Sequence, residues 1–245
     1  MKIAIHKNAE EEDVTGSPHI WRPKMAVGLG CLGILVLTLA WQPGAKARTD
    51  SRAHGQAAHE ALSVPVKSFG SPNAPIKLEE FSDFQCPSCR AFYEGTLRPM
   101  MADYVAQGKV YLVHHDFPLP MHAHSYQAAR WANAAAEIGR FEDVEAALFD
   151  NQESWAADGN IEKYVAGAMP AADFKKVQRL MVGCEPNSHS CPLDPFIDAD
   201  IALGKQIPVR ATPTYVISFK GQKFPAGSGA VSWDIMRQFF DSLLG

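Results

Sequence analysis

Residues 75–92 read PIKLEEFSDFQCPSCRAF, and the fold is decided where this stretch changes period. Ile76 to Phe84 alternates in part and ends in aromatics, the pattern of a buried strand. From Cys86 to about Gln107 the pattern is helical. Phe92, Leu97, Met100, Met101 and Tyr104 fall on or near one face, and Pro99 is expected to kink or split the helix. Cys86-Pro87-Ser88-Cys89 therefore sits where a strand meets a helix. Free backbone N–H groups and the positive helix end favour a thiolate over a thiol there. Pro87 loses nothing at the first helical position, where an N–H has no partner anyway. Cys86 is expected to be an exposed nucleophile of low pKa. Cys89, one turn deeper, is expected to resolve a mixed disulfide. A lone C-x-x-C is also compatible with half a zinc site or an inert disulfide. A Cys₄ zinc site needs a second close pair, and Cys184 and Cys191 have six residues between them, so no metal is expected.

Outward from this stretch, Val64 to Phe69 reads as a short edge strand, because Pro65 is tolerated there. Lys109 to Phe117 (KVYLVHHDF) is a second core strand. The middle, about 120–205, is helical: an Ala-rich run from His122 to Ile138 stops at Gly139, and Phe141, Val144 and Leu148 repeat at 3.6 residues. Shorter helices are expected at 160–168, 171–182 and 195–204. Thr214 to Phe219 is a strand, with a turn at Gly221 into a short strand near Lys223. Ser232 is placed to cap a last helix carrying a Val231, Ile235, Phe239, Leu243 stripe. The order of elements implies one mixed sheet with a helical insertion.

The chain has 245 residues, 47% hydrophobic and 20% charged, with a formal charge of −4. That composition excludes a disordered or collagen-like chain. It offers no basic excess for nucleic acid. Residues 25–41, MAVGLGCLGILVLTLAW, carry no charge and would span about 26 Å as a helix, close to the minimum for a bilayer core. Two readings compete. In one, residues 1–24 are cytoplasmic and 25–41 are a transmembrane signal anchor. In the other, a signal peptide is removed at Ala45-Lys46-Ala47. A buried core helix is the blander third reading. Residues 42–63 read as a linker. Both main readings export residues 64–245.

The five cysteines are an odd number. Cys31 lies in the apolar segment, without a lipid-attachment context. Cys184 and Cys191 bracket turn-forming residues and read as a structural disulfide in an exported chain. A second redox pair and free thiols are the alternatives.

The quoted stretch, the helical middle and Ala211-Thr212-Pro213-Thr214-Tyr215 together resemble the DsbA-like branch of the thioredoxin superfamily, over roughly residues 64–244. The resemblance implies an α/β thioredoxin fold with an inserted helical domain, preceded by the N-terminal segment, and thiol–disulfide exchange without a cofactor. It implies that Thr212-Pro213 is a substrate-binding cis-proline loop beside Cys86. A cis bond is found at about 5–6% of X-Pro positions, so it needs a reason. The resemblance also places Glu80 as a buried acid beneath the thiols, with a raised pKa and a proton to exchange with Cys89. Alternation then puts Glu79 on the opposite face. The blander reading of Glu80 is a solvated strand-edge charge. One departure is Ser88, where the best-known member has histidine; a neutral side chain adds no positive charge beside the thiolate.

The expected function is an exported oxidase that introduces disulfides into envelope or secreted proteins. Its partners would be cysteine-containing substrates and a membrane redox protein that reoxidises the motif, with membrane contact through 25–41 if that segment is retained. A reductase or isomerase of the same fold is the first alternative. A copper- or client-binding module is the second, suggested by His114, His115, His122 and His124 near Met121.

Overall fold

The computed structural model describes residues 62–186, 188 and 190–245. The apolar segment 25–41, Cys31, the proposed cleavage site and all but the end of the linker lie outside them. Among the described residues, no helix is long and apolar enough to cross a membrane.

The strand read from the quoted stretch is β2, Ile76–Ser82. It is buried along nearly its whole length and is central, as a strand covered on both faces must be. It pairs in parallel with β3, Val110–Asp116, with Ile76 opposite Val110 and Glu80 opposite His114. On its other side it pairs antiparallel with β4, Thr214–Phe219, where Glu80 faces Tyr215. β1, Ser68–Phe69, closes one flank on β3. β5, Gln222–Lys223, and β6, Gly227–Ser228, close the other on β4. The order is β1-β3-β2-β4-β5, with β6 also on β4. The edge strand expected from Val64 is thus only its last two residues, and Val64 and Val66 stand exposed.

The helical run after Cys86 is not one regular helix. α1, Pro87–Phe92, passes into a π-helical turn at Tyr93–Leu97, then α2, Arg98–Met100, then a second π-helical turn at Met101–Val105. Pro99 has no N–H to give, and the slip in hydrogen-bond register just before it, where Arg98 N–H reaches the Tyr93 carbonyl, absorbs the break expected there. Phe92, Leu97, Met100 and Tyr104 are buried as their spacing requires.

Between β3 and β4 the described residues form six helices: α3 Ser125–Ala136, α4 Phe141–Asp150, α5 Gln152–Asp158, α6 Ile161–Gly167, α7 Ala171–Leu180 and α8 Asp194–Gln206. α5 was not separable in sequence from the helix before it. The insertion shares the sheet's core: Phe149 of α4 packs on Phe84 and Tyr93, with ring centroids 5.2 and 4.8 Å apart. Gly204 of α8 lies so close to Phe117 that a Cβ there would meet its ring at 2.5 Å, so α8 requires glycine at this contact.

The last helix, α9, spans Trp233–Leu244. Two expectations are corrected here. Ser232 occupies the N-cap position, but its side chain makes no capping hydrogen bond. The buried stripe is Met236 and Phe240, one residue round from the expected one, and Ile235 is 60% exposed.

Candidate active site

Cys86 is the N-cap residue of α1, in extended conformation, with Pro87 at the first helical position. Its carbonyl accepts the first helical bonds from Cys89 N–H at 3.0 Å and Arg90 N–H at 3.2 Å. Pro87 is exposed and Ser88 half-buried. Cys86 and Cys89 are both unpaired thiols. Cys89 is fully buried, and Cys86 is only 7% exposed, less open than its position in the sequence suggests.

The cover over Cys86 is the segment before β4. The Thr212–Pro213 peptide bond is cis. The Cys86 thiol donates to the Thr212 carbonyl at 3.4 Å, and the Thr212 hydroxyl lies beside the same sulfur. Because β4 neighbours β2, the sheet itself carries this loop to the strand-to-helix junction.

The two thiols are driven apart. A hydrogen bond from the Cys89 thiol, aided by Thr212 and by the N–H groups of Cys89 and Ser88, lowers the Cys86 pKa to about 5, against the opposing cost of burial. Burial first, and then the neighbouring Cys86 sulfur, pushes Cys89 well above its ordinary value. Asp83 N–H donates to Cys89 Sγ at 3.4 Å.

Below them, Glu80 is 1% exposed. Burial raises its pKa to about 7, with His114 opposing and Glu145 reinforcing the rise. Ser82, two residues along the same strand face, neighbours both the Glu80 carboxyl and the Cys89 thiol. Glu79 sits on the opposite face, where His115 and then Lys77 hold it ionised, with a pKa of about 2.

The loop carrying Cys86 is fixed by the insertion. Asp83 is buried, and its carboxylate accepts from Gln85 N–H (2.8 Å), Leu119 N–H (2.8 Å) and the Ser125 hydroxyl (2.5 Å), and pairs with His122 Nδ1 at 2.7 Å. Gln85 accepts from His124 N–H at 2.7 Å. Gln152 of α5 donates to the carbonyls of Phe84 and Cys86 at 2.7 and 2.9 Å. Asp83, Ser82 and Gln152 were not singled out in sequence. Ser82 was findable, since it shares the face of Glu80, but Gln152 comes from distant chain and leaves no local signal.

The histidines serve separate ends. His114 is buried between Glu145 and Asp116, His115 binds Asp200 at 2.8 Å, and His122 is taken by Asp83. Among the described residues, no group of three or more His, Cys, Asp or Glu side chains is arranged to hold a metal. Cys184 and Cys191 are joined as a disulfide between α7 and α8.

A dithiol at a strand-to-helix junction, faced by a cis proline and floored by a buried carboxyl, defines the thioredoxin-like class of dithiol proteins. The family model described as thioredoxin matches residues 64–241, and the chain belongs to that family, with the helical insertion of its DsbA-like members. Among curated relatives, "Probable disulfide bond formation protein D" of Bacillus cereus is 24% identical over 157 residues, covering 62% of this chain and 69% of that protein. "Na(+)/H(+) antiporter NhaA 1" of Mycolicibacterium gilvum is 28% identical over 157 residues, covering 64% of this chain but only 24% of that protein. The fold is similar to alpha-DsbA1 of Wolbachia pipientis, with a TM-score of 0.58 and 20% identity, covering 72% of this chain and 89% of that one. It is also similar to BdbD of Bacillus subtilis, with a TM-score of 0.57 and 18% identity, covering 76% and 97%.

Proposed function

We propose that the protein is an extracytoplasmic thiol–disulfide oxidoreductase working as a dithiol oxidase, with Cys86 as nucleophile, Cys89 as resolving thiol and Thr212–Pro213 as the substrate-binding loop. The observation that carries this is the split between the thiols: Cys86 is held towards thiolate and Cys89 towards thiol. A stabilised Cys86 thiolate favours the reduced motif, and so makes the oxidised motif a ready acceptor of electrons.

In the forward reaction a substrate thiolate attacks Cys86 Sγ of the oxidised pair. The Cys86–Cys89 bond breaks as the Cys86–substrate bond forms. Cys89 leaves as a thiolate and takes a proton from Glu80, whose pKa near 7 lets it give or accept one at neutral pH. The substrate's second thiolate then attacks the substrate sulfur of the mixed disulfide. Cys86 departs as a thiolate, a poor base and therefore a good leaving group. Two electrons have passed to the motif, and a membrane redox partner would remove them. Residues 25–41 would tether the domain beside that partner. Cys184–Cys191 serves as a structural staple.

The test is alkylation of the reduced protein against pH, with a measured reduction potential. A Cys86 midpoint near 5 and a potential near about −120 mV support an oxidase, whereas a potential near about −270 mV favours the reductase reading. A Cys86 midpoint near the free-thiol value of about 8.5, with no disulfide exchange, would end the proposal. The neutral Ser88 is what keeps the reductase reading in play.

A further inference from the structure

Glu80 is not alone beneath the thiols. It lies opposite His114 in the parallel register of β2 and β3. The His114 ring is fully buried, stacked on Phe84 at 5.2 Å and edged by Phe141 at 5.1 Å. Its Nδ1 is 3.2 Å from Glu145 Oε1 of α4, and its Nε2 is 3.4 Å from Asp116 Oδ1. Glu145 is 2% exposed. Glu80 Oε1 and Glu145 Oε2 are both buried without a hydrogen-bond partner.

The other charges nearby are already matched. Asp116 is neutralised by Lys67 and accepts from Asn133 at 2.7 Å. Lys67 also binds Asp200 of α8 at 2.6 Å, and Asp200 binds His115. His115 and Lys77 hold Glu79 on the far face. Lys67, His114 and His115 are all held towards their protonated forms, and Glu79, Asp116 and Asp200 towards their ionised forms. With Lys77 on Glu79, four cations thus face three anions, which leaves one positive charge over. Glu80 and Glu145 are the two carboxyls left over, and burial raises the pKa of each. Glu142 and Tyr93 also face Glu145, and neither brings a positive charge.

We propose that His114 of β3 and Glu145 of the inserted helix α4 are positioning residues for the proton on Glu80: the two carboxyls share one imidazolium, so that one ionises at the expense of the other. The inserted helix then sets the pH at which Glu80 can take the proton from Cys89. The transfer is balanced: the Cys89 S–H bond breaks, a Glu80 O–H bond forms, and Glu145 keeps its own proton while Glu80 is charged. This rests on the thiol-exchange reading above.

The experiment is the rate at which Cys89 resolves a Cys86 mixed disulfide, followed against pH in the full-length chain. With Glu145→Gln, Glu80 no longer competes with a second carboxylate, and the midpoint moves down by about one pH unit, roughly a tenfold gain in rate on the acid limb. With His114→Gln the shared cation is gone, and the midpoint moves up by about the same amount. A packing role alone would lower the rate at every pH without moving the two midpoints in opposite directions. Midpoints that stay put, or move together, overturn the inference. Carboxyl ¹³C titration of the unmutated protein gives a second readout that needs no variant. Two-step curves for Glu80 and Glu145 with shared midpoints support it, and independent single steps overturn it. If the protein exchanges no disulfides at all, the oxidoreductase reading fails, while the carboxyl titration still decides this one.

Discussion

Among the described residues the chain holds two cysteine pairs, and they are opposites. Cys86 and Cys89 stand three residues apart at the start of a helix, unpaired, beneath a cis proline and above a buried acid. Cys184 and Cys191 stand seven apart in a loop between two helices, already joined. Each loop is also held by one buried polar side chain from elsewhere. Gln152 grips the first through two carbonyls. Arg130, 3% exposed, grips the second, donating to the carbonyls of Glu185 and Ser188 at 2.9 and 2.7 Å and to both carboxylate oxygens of Asp194. Both loops are pinned, so rigidity does not separate the unpaired thiols from the joined ones. The difference is electrostatic. The first pair has the N–H groups of Ser88 and Cys89 on one side and the buried Glu80 carboxyl on the other, and the two thiols are driven apart.

The comparison breaks most visibly in activity. Cys86→Ser is expected to abolish insulin reduction and dithiol oxidation, a loss beyond about a thousandfold, because among the described residues Cys86 is the thiol held towards thiolate. The double variant Cys184→Ser, Cys191→Ser is expected to leave both rates within about twofold. Loss of turnover in the double variant would mean that the second pair relays electrons.

The next effect lies in stability. Glu80 has a folded pKa raised from 4.5 to about 7. A carboxyl raised in this way favours the folded state below its unfolded pKa, and the benefit is lost as pH rises through the folded pKa. Glu80→Gln is therefore expected to stabilise the protein by about 3 kcal/mol above pH 7. The gain should shrink between pH 7 and 4.5 and vanish below that, as read from urea unfolding at several pH values. No comparable pH-dependent gain is expected from any change in the 184–191 loop.

Smaller still, opening the Cys184–Cys191 bridge is expected to cost about 2.5 kcal/mol, the chain-entropy value for so short a loop. Gln152→Ala is expected to cost about 1–2 kcal/mol, since two buried carbonyls lose their donor. It should also speed alkylation of Cys86, by freeing the loop. If the two loops respond in the reverse order, the staple is the active-site loop and the contrast needs redrawing.

How much of this was legible in the chain itself depended on distance along it. The dithiol could be read from a few adjacent residues, at a period change, while the proline before β4 and the buried side of Glu80 came from the family resemblance of short motifs, with alternation then placing Glu79 on the opposite face. The helical middle was legible as helices, though α5 merged with its neighbour because one polar residue, Asn151, separates them. The stripe on α9 was misplaced by one residue. Amphipathic spacing alone did not choose between Ile235 and Met236, and packing against the helical run after Cys86 did. The floor of the site was mostly hidden. Glu145, Asp116, Lys67 and Asp200 come from four separate segments, and as single polar letters each reads as surface. Only the register of β2 on β3 and the seating of α4 turn them into a buried charge network.

The flanks of the sheet have a consequence for the company this protein keeps. On both sides it ends in strands two residues long, β1 and β5, with Lys67 before the one and Lys223 in the other. Such short border strands give an incoming chain little ladder to extend. An unfolded client of a thiol–disulfide oxidoreductase is ready to pair with any open β-edge. Under the proposed function, a sheet closed at its borders leaves the Thr212 backbone, beside Cys86, as the place for such a client to dock.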